Sequence, residues 1–290
     1  MNPLFLGVDG GGTGCRARVE TADGRVLGQG LAGPATLRLG AEGAWAAVTT
    51  AAQAAIAEAG LTGAQVASLV AGIALAGIGR KGARAALEAL PHPYAAAAFT
   101  SDGHAACLGA HSGRDGAIVI AGTGSIGLGQ VGERALRVGG YGFPVSDEGS
   151  GADLGLRAMQ LALRAQDGRH AGSALLTEVM ARFHADPFEV VAWMDRATAS
   201  DYATLAPLVL RHADQGDAAA RSIVQGAAEQ IDTLVRALLA QGAPRVALLG
   251  GLSSAIEPWL SPDVRRTLRP AEGDAVTGAI IHARREAGLE

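Results

Sequence analysis

Lysine is nearly absent from this sequence, and cysteine is scarce. Lys81 is the only lysine, so the phosphate-binding motif G-x-x-x-x-G-K-[ST] cannot be built here. Cys15 and Cys107 stand far apart, without the spacing of a metal site. Two isolated thiols are typical of a protein in a reducing compartment.

Long apolar runs and an excess of positive charge are missing as well. The formal net charge of −4 argues against a nucleic-acid groove and against an acidic membrane surface as a partner. No apolar run reaches membrane length, and the N-terminus lacks a cleavable signal pattern. We therefore expect a cytoplasmic protein with no nucleic acid and no membrane as partner.

What is present is the length and apolar content of a folded protein. The 290 residues suffice for one large or two ordinary domains. Hydrophobic residues make up 49% of the chain and charged residues 18%, which is typical of globular rather than disordered proteins.

The stretch Leu4 to Thr13, LFLGVDGGGT, predicts a strand that ends in an acid and a glycine turn. A second strand-like run follows, so the segment predicts a hairpin. Glycines allow a positive φ and leave backbone amides bare for an anion. Because Asp9 would repel a phosphate directly, a divalent cation between them is the functional interpretation, with Asp9 facing Mg²⁺. An ordinary glycine-rich hairpin is the alternative.

The first half continues as a mixed sheet with helices. Strands are predicted at 25–31, 66–75 and 95–100, and helices at 41–59, 80–90 and 104–110. The order β-β-β-α-β-α-β-α is typical of a sheet that has helices packed on its faces.

The second half repeats the opening pattern of strand, small-residue turn, strand and strand. The predicted strands are 116–121, 126–131, 134–138 and 246–249, and the predicted helices are 152–165, 173–184, 217–239 and 275–285. The repeat indicates two similar α/β halves that meet near 112–115. The tail helix can return to the first half.

Asp102 follows a short strand and precedes a helix, at the kind of strand end where α/β sheets bind ligands. A carboxylate there can act as the general base that takes a proton from an attacking hydroxyl. It can equally be a helix N-cap, a position that Ser101 or Asp102 could fill. The residues alone leave both interpretations open.

Gly122 to Gly127 spells G-x-G-x-x-G after a strand, which is the dinucleotide fingerprint. That fingerprint must open a helix, and the residues that follow alternate or turn instead. Further along, Asp147 and Glu148 precede a helix; they can bind sugar hydroxyls or simply complement the helix dipole.

Taken together, these motifs resemble the sugar-kinase, heat-shock ATPase and actin superfamily. Within it the chain resembles the BadF/BadG/BcrA/BcrD ATPase family, which includes N-acetylglucosamine kinases and bacterial glucosamine kinases. The matching stretches occur in the family's order. They are DGGGT (9–13), ALAG (74–77), SDGHAACLGAH (101–111), AGTGSIG (121–127), FPVSDEGSGADLGLR (143–157), AQDG (165–168), WLSP (259–262) and GDAVTGA (273–279).

The resemblance implies an α/β fold of two similar actin-like, ribonuclease H-like domains with mixed sheets and an interdomain cleft. The domains would be 1–114 and 115–290, with the last helix, 275–286, able to pack back on the first. The implied activity is ATP-dependent phosphorylation of the 6-hydroxyl of an amino sugar, most simply glucosamine to glucosamine 6-phosphate, with ATP and Mg²⁺. The resemblance also allows a homodimer.

The resemblance also assigns site residues. Asp102 becomes the catalytic base and Asp9 the acid on the Mg²⁺ side. The implied ATP-binding residues are Gly10, Gly11, Gly12, Thr13, Gly122, Thr123, Gly124, Ser125, Gly250, Gly251 and Ser253, with Gly250 and Gly251 facing the adenosine. The implied sugar-binding residues are Thr36, Ala76, Gly77, Asp102, Asp147 and Glu148.

Two departures from the family bear on the substrate. Thr36 stands where the family often has an asparagine that contacts the sugar, and Ile126 stands where animal N-acetylglucosamine kinases tend to have asparagine. Threonine offers one hydroxyl in place of an amide's separate donor and acceptor, which weakens the expected contact, whereas Ile126 disfavours an acetamide. With the acceptor-rich segments around Thr36 and Asp147, this favours glucosamine, and an N-acetylglucosamine kinase is the alternative. An ATPase that activates a radical dehydratase is a further alternative, but Cys15 and Cys107 lie outside the second half, where a shared iron–sulfur cluster would lie.

Overall fold

A computed structural model describes residues 3–289 of the chain. It divides into two compact units. Unit 1 contains the described residues up to Asp115 together with those from Ala271 onward, and unit 2 is Gly116–Pro270. Unit 1 is therefore discontinuous in sequence.

The strands are β1 (Leu4–Gly10), β2 (Cys15–Thr21), β3 (Val26–Ala32), β4 (Val70–Leu75), β5 (Ala96–Thr100), β6 (Gly116–Ala121), β7 (Ser125–Val131), β8 (Arg134–Gly139) and β9 (Val246–Leu249). The helices are α1 (Ala41–Glu58), α2 (Gly63–Val66), α3 (Ala83–Glu88), α4 (Asp102–Ala110), α5 (Gly151–Gln166), α6 (Ala174–Ala181), α7 (Pro187–Met194), α8 (Ala199–Ala203), α9 (Ala206–Asp214), α10 (Ala218–Ala240), α11 (Ser253–Ile256), α12 (Pro262–Thr267) and α13 (Ala275–Glu286).

The sheet of unit 1 has the strand order β3-β2-β1-β4-β5. β1, β2 and β3 are antiparallel neighbours, whereas β1, β4 and β5 run parallel. The alternation along β1 places Leu6 and Val8 in the apolar core that this sheet shares with α1. Helix α1 packs closely on β3 at Gly30. A Cβ there would lie 2.0 Å from the carbonyl oxygen of Ala51, so the absence of a side chain makes this approach possible.

Helix α13 covers the opposite face of the same sheet, over β1 and β4. Glycine makes this approach possible, since a Cβ on Gly72 would lie 1.9 Å from the carbonyl oxygen of Ala279. Helix α13 also crosses α4 at contact distance, where a Cβ on Gly278 would lie 1.7 Å from the carbonyl oxygen of Ala105. The tail of the chain thus holds the helix that follows β5.

Unit 2 is built on the sheet β8-β7-β6-β9, in which β6, β7 and β8 form an antiparallel meander and β9 runs parallel to β6. Helix α10 supplies a long buried stripe that includes Ile223, Ala227 and Ile231. The strand–turn–strand–strand pattern of unit 1 recurs here, as the sequence predicts.

Two sequence-based expectations differ from the structure. The strand expected at 66–75 begins at Val70, because Gly63–Val66 forms a short helix that Thr62 and Gln65 cap reciprocally. The helices predicted in the second half leave out residues 187–214, yet α7, α8 and α9 lie there. Among the described residues, no helix is both long and apolar enough to cross a membrane.

Candidate active site

The carboxyl ends of three parallel strands meet at one edge of the unit 1 sheet. Asp9 lies near the end of β1, Ala76 follows β4, and Asp102 lies just beyond β5. β4 separates β1 from β5, and Asp9 is still near enough for its charge to contribute to the raised pKa of Asp102. The fold thus brings together two acids that are 93 positions apart in sequence.

Ser101, not Asp102, caps helix α4. The Ser101 hydroxyl accepts a hydrogen bond from the amide of His104 at 3.0 Å, in the geometry of an N-cap. Asp102 is the first residue inside the helix, and its carboxylate accepts from the amide of Gly103 at 2.9 Å. Ser101 therefore fills the N-cap position that, from the sequence alone, Asp102 could equally have filled.

The environment of Asp102 suits a base. The side chain is half-buried, and burial raises the pKa of its carboxyl above the usual value, with the nearby Asp9 charge adding to the effect and the Gly103 amide opposing it. A raised pKa makes the ionised carboxylate a stronger proton acceptor. Perturbed carboxylates of this kind are common at active sites.

Asp9 is paired with a residue that the sequence analysis missed. Across the β1–β2 hairpin, Arg16 lies opposite Asp9 and donates to its Oδ2 at 2.7 Å. The Asp9 side chain is 17% exposed and that of Arg16 is 54% exposed. The opposed positions on a hairpin were the available signal, since residues paired across a turn face the same side of the sheet.

The glycine turn after Asp9 leaves bare backbone, but not for the reason expected from the sequence. None of Gly10, Gly11 and Gly12 adopts a positive φ. Gly10 is needed for packing, since a Cβ there would lie 2.5 Å from a methyl group of Leu75. A Cβ on Gly12 would meet open space, and Thr13 is exposed. The tip of the turn is therefore accessible to a ligand.

Three of the predicted sugar-binding residues lie together in unit 1. Thr36 and Ala76 form an isolated parallel bridge, and the Thr36 hydroxyl is 3.4 Å from the Ala76 carbonyl oxygen. Gly77 adopts φ +87°, a conformation that favours glycine. A Cβ there would lie 3.5 Å from Leu37, the neighbour of Thr36.

In unit 2 the two predicted nucleotide segments also meet at one sheet edge. The turn Gly122–Ser125 follows β6, and Gly250–Ser253 follows the parallel neighbour β9. Gly250 has φ +99°, and a Cβ there would lie 2.2 Å from the carbonyl oxygen of Ala121, so only glycine fits. The Ser253 hydroxyl donates to the Gly250 carbonyl at 2.7 Å. A strand follows Gly122–Ser125, which confirms that the dinucleotide fingerprint lacks its helix.

The turn Gly122–Ser125 is tied to the acidic segment Asp147–Glu148. The Ser125 hydroxyl is buried and donates to the Glu148 carbonyl oxygen at 2.7 Å. The Asp147 carboxylate lies against Gly124, where a Cβ would be 2.6 Å from its Oδ2. Burial, with a contribution from Glu148, raises the pKa of Asp147. Ser125 therefore connects the predicted phosphate and sugar segments within this unit.

Asp153, which is not among the predicted site residues, holds the acidic segment in place. Asp153 in the first turn of α5 accepts from the Gly149 amide at 2.9 Å and from Nε of Arg157 at 2.9 Å. Its own amide donates to the Ser150 hydroxyl at 3.2 Å. The spacing S-x-x-D before an apolar run was the available signal, since it is a capping-box pattern.

Replacing Asp153 by alanine is expected to lower the free energy of unfolding by about 2–4 kcal/mol, because a buried amide loses its charged acceptor. Chemical denaturation followed by circular dichroism measures this. The control is Asp167→Ala, which removes an exposed pair with Arg169 and should leave the midpoint unchanged. Equal midpoints for the two variants would contradict the role of Asp153 as a brace.

The donor groups of the site fit a cation that arrives with phosphates rather than a resident metal. Within residues 3–289, no cluster of three or more histidine, cysteine, aspartate or glutamate residues could hold a metal ion. Mg²⁺ is commonly bound by one or two carboxylates together with substrate phosphates. Asp9 beside the glycine turn would supply one such carboxylate, and Arg16 would then have to share or release it.

Known proteins are similar to this chain over nearly its whole length. A model of the BadF/BadG/BcrA/BcrD ATPase family matches residues 6–283. The glucosamine kinase GspK of Vibrio cholerae is 40% identical over 279 residues, which cover 96% of this chain and 95% of that protein.

Solved structures share the fold. A Chromobacterium violaceum protein, whose name proposes N-acetylglucosamine kinase activity, is 38% identical with a TM-score of 0.88, over 97% of this chain and 99% of that one. A ROK family glucokinase from Streptomyces griseus, solved with glucose and AMPPNP, is 18% identical with a TM-score of 0.57, over 97% and 99%. The second likeness concerns the fold alone. Together they confirm the predicted α/β class with two mixed sheets, as in actin-like sugar kinases.

Proposed function

The chain belongs to the BadF/BadG/BcrA/BcrD ATPase family, and from that premise we propose that it is an ATP-dependent kinase of the 6-hydroxyl of an amino sugar, with glucosamine preferred. The similarity to a glucosamine kinase over nearly the whole chain supports the reaction class. The placement of Asp102 is the observation on which the proposal rests. Its carboxylate is half-buried at a strand end, and Ser101 already caps the helix.

In the proposed reaction, Asp102 accepts the proton of the sugar 6-hydroxyl. The oxygen forms a bond to the γ-phosphorus of ATP, the bond from that phosphorus to the bridging oxygen breaks, and ADP leaves. Phosphoryl transfer needs little covalent help from the protein, so positioning and charge stabilisation supply most of the rate. The raised pKa of Asp102 improves it as an acceptor.

The glycine turns are proposed to bind the phosphates. The amides of Gly12, Thr123 and Gly124 are groups to which phosphate oxygens can bind, whereas the amides of Gly11 and Gly122 hold the turns in shape by donating to the carbonyl oxygens of Gly14 and Gly124. We assign Gly10 and Thr13 to the phosphate-binding residues as well, Gly250 and Gly251 to the adenosine, and Ser253 to the nucleotide site in general. Mg²⁺, when bound on the Asp9 side, would neutralise charge on the phosphates.

The proposed sugar-binding residues are Thr36, Ala76, Gly77, Asp147 and Glu148. A free 2-amino group is largely cationic near neutral pH and is best matched by carboxylate acceptors. An acetamide needs a donor for its carbonyl instead. The acceptor-rich set therefore supports glucosamine over N-acetylglucosamine.

Glucosamine is expected to give the highest kcat/KM in a panel with N-acetylglucosamine, N-acetylmuramic acid and glucose, measured as ADP release. A site built from polar groups rejects an analogue that leaves them unpaired by about 10⁴-fold or more, whereas an apolar pocket discriminates weakly. A higher kcat/KM with N-acetylglucosamine would reject the acceptor-based assignment while leaving the kinase reaction in place. Absence of ADP release with every sugar would reject the kinase itself.

The alternative of a dehydratase activator gains no support. Cys15 is buried in β2, and burial raises the pKa of its thiol to about 12, so it offers no thiolate to a cluster. Cys107 is buried in α4. Two buried cysteines outside any disulfide fit the reducing cytoplasm in which we propose that the kinase acts.

A further inference from the structure

The Asp9–Arg16 pair lies on the sheet face that α13 covers. Residues opposite each other on neighbouring strands share a face of the sheet, and β1 and β2 pair Asp9 with Arg16 and Gly7 with Arg18. A Cβ at Gly7 would lie 2.6 Å from the carbonyl oxygen of Val276 in α13, which identifies the face. Arg16 and Arg18 therefore lie side by side on the α13 face of unit 1.

Asp274, the N-cap of α13, is a second carboxylate at this face. Its Oδ1 accepts from the amide of Thr277 at 2.9 Å and from the Thr277 hydroxyl at 2.8 Å. Among the described residues, the hydrogen bond that its Oδ2 accepts is a long one, 3.4 Å from Nη1 of Arg18. A carboxylate oxygen has two lone pairs, so Oδ2 can accept from a further donor.

Arg16 interacts with both carboxylates. Its Nη2 donates to Oδ2 of Asp9 at 2.7 Å. This hydrogen bond is the main cause of the raised pKa of the Arg16 guanidinium, and the charge of Asp274 contributes to it. Arg16 and Asp274 also line one cavity of about 530 Å³, and the Arg16 side chain is 54% exposed. The guanidinium therefore has space to move and a second anionic partner nearby.

We propose that the Arg16 guanidinium occupies the Asp9 carboxylate in the nucleotide-free protein in place of a divalent cation, and that it moves to Asp274 when such a cation binds. Arg16 is thus a positioning residue that acts through Asp9. This inference rests on the proposed function in one respect, the assignment of Asp9 to the cation side of the phosphates.

The physical basis is competition of two positive charges for one carboxylate. The Asp9 side chain is only 17% exposed, so charges beside it are screened less than in bulk water. A divalent cation on either oxygen of Asp9 would lie beside the guanidinium and repel it. A new charge-assisted hydrogen bond to Asp274 would offset the loss of the bond to Asp9. The cation alone should therefore bind weakly, and the phosphates should supply the remaining attraction.

Binding of Mn²⁺ alone, measured by electron paramagnetic resonance without nucleotide or sugar, tests the competition. Mn²⁺ prefers the same oxygen ligands as Mg²⁺. Arg16→Gln removes the competing charge and should lower the Kd for Mn²⁺ by about tenfold or more. Arg25→Gln, an equal charge change in the exposed β2–β3 turn, is the matched control and should leave this Kd unchanged. Adding Asp9→Asn to Arg16→Gln should abolish the gain.

Asp274→Asn tests the second position of Arg16. Asparagine can still cap α13, but it offers the guanidinium no charged partner. Alone, this change should raise the Kd for Mn²⁺ by about threefold or more. Combined with Arg16→Gln it should have little effect, because the side chain that uses Asp274 is gone. Circular dichroism confirms that each variant is folded.

Three results would overturn the proposal. They are an unchanged Kd in Arg16→Gln, a gain in Arg16→Gln that persists without the Asp9 carboxylate, and an equal effect of Asp274→Asn with and without Arg16. Because the measurement contains neither ATP nor sugar, it is separate from the test of the kinase. Absence of ADP release would reject the kinase without changing these Kd values, and an unchanged Kd would reject the exchange of Arg16 without affecting the kinase.

Discussion

Replacing Asp102 by asparagine is expected to lower kcat by about a hundredfold to ten-thousandfold and to leave the fold intact. The amide keeps the shape of the side chain, and its oxygen can still accept from the Gly103 amide. What it loses is the capacity to take a proton from the attacking hydroxyl. Steady-state ADP release with the preferred sugar measures the loss.

Although Asp102→Asn should lose activity, its stability should be equal to or higher than that of the wild type near neutral pH. Because the pKa of Asp102 is raised in the folded protein, the native state keeps its proton to higher pH than the unfolded chain. The ionised carboxylate thus lowers stability as pH rises from the unfolded pKa of 3.8 through the folded value. Near neutral pH, Asp102→Asn should melt at the wild-type temperature or above it.

Ser101→Ala is the matched control for the helix cap. It removes the acceptor for the His104 amide and should cost about 1 kcal/mol of stability while largely preserving kcat. Wild-type turnover in Asp102→Asn would reject the base. The fall of kcat/KM at low pH should reflect protonation of Asp102. If this fall persists unchanged in Asp102→Asn, the assignment of Asp102 as the base is also rejected.

Replacing Gly278 by alanine is expected to be among the most damaging changes of a single methyl group in this chain. A Cβ there would lie 1.7 Å from the carbonyl oxygen of Ala105, a backbone atom that cannot yield without moving α4. Overpacking of this kind costs about 1–3 kcal/mol or more. Since α4 also positions Asp102, a shift of about 1 Å should further lower kcat about a hundredfold in the folded fraction.

Gly226→Ala is the matched control for Gly278→Ala. Gly226 lies inside helix α10, and a Cβ there would meet no atom within 4 Å. Alanine should raise stability by about 0.5–1 kcal/mol, because glycine is the poorer helix former. Thermal melts and kcat of the two variants are compared side by side. A Gly278→Ala protein with wild-type melting and turnover would contradict the close crossing of α4 and α13.

Most strands and the long helices of this protein are predictable from local patterns. Examples are the apolar run before Asp9, the alternation in β7 and the apolar stripe of α10. Each pattern involves only residues that are close in sequence, a few positions along a strand or one or two turns of a helix. Short capped helices are the main elements that the local patterns did not predict. α2 and α8 have capping-box signatures at Thr62 and Thr198, but neither has room for a helical apolar stripe.

Some candidate site residues can be located from the sequence, whereas their partners in the fold cannot. Asp9, Asp102 and the glycine turns follow strands, and a strand end can be located from the sequence. Partners across the fold cannot be located so directly. The sequence offers Ser101 and Asp102 equally as caps, and only the hydrogen bond to His104 assigns that role to Ser101. Likewise, the burial of Ser125 against Glu148 depends on how a turn and a loop pack 23 positions apart.

The sequence by itself determined which segments become strands and where the acids and glycine turns stand along them, because those features depend on side-chain periodicity and backbone freedom over a few residues. Only the tertiary structure decided that the tail helix returns to unit 1 and crosses α4 where Gly278 meets Ala105. It also decided that the buried hydroxyl of Ser125 donates to the Glu148 carbonyl oxygen. Such contacts depend on packing between distant segments, and no local pattern specifies which surfaces will meet.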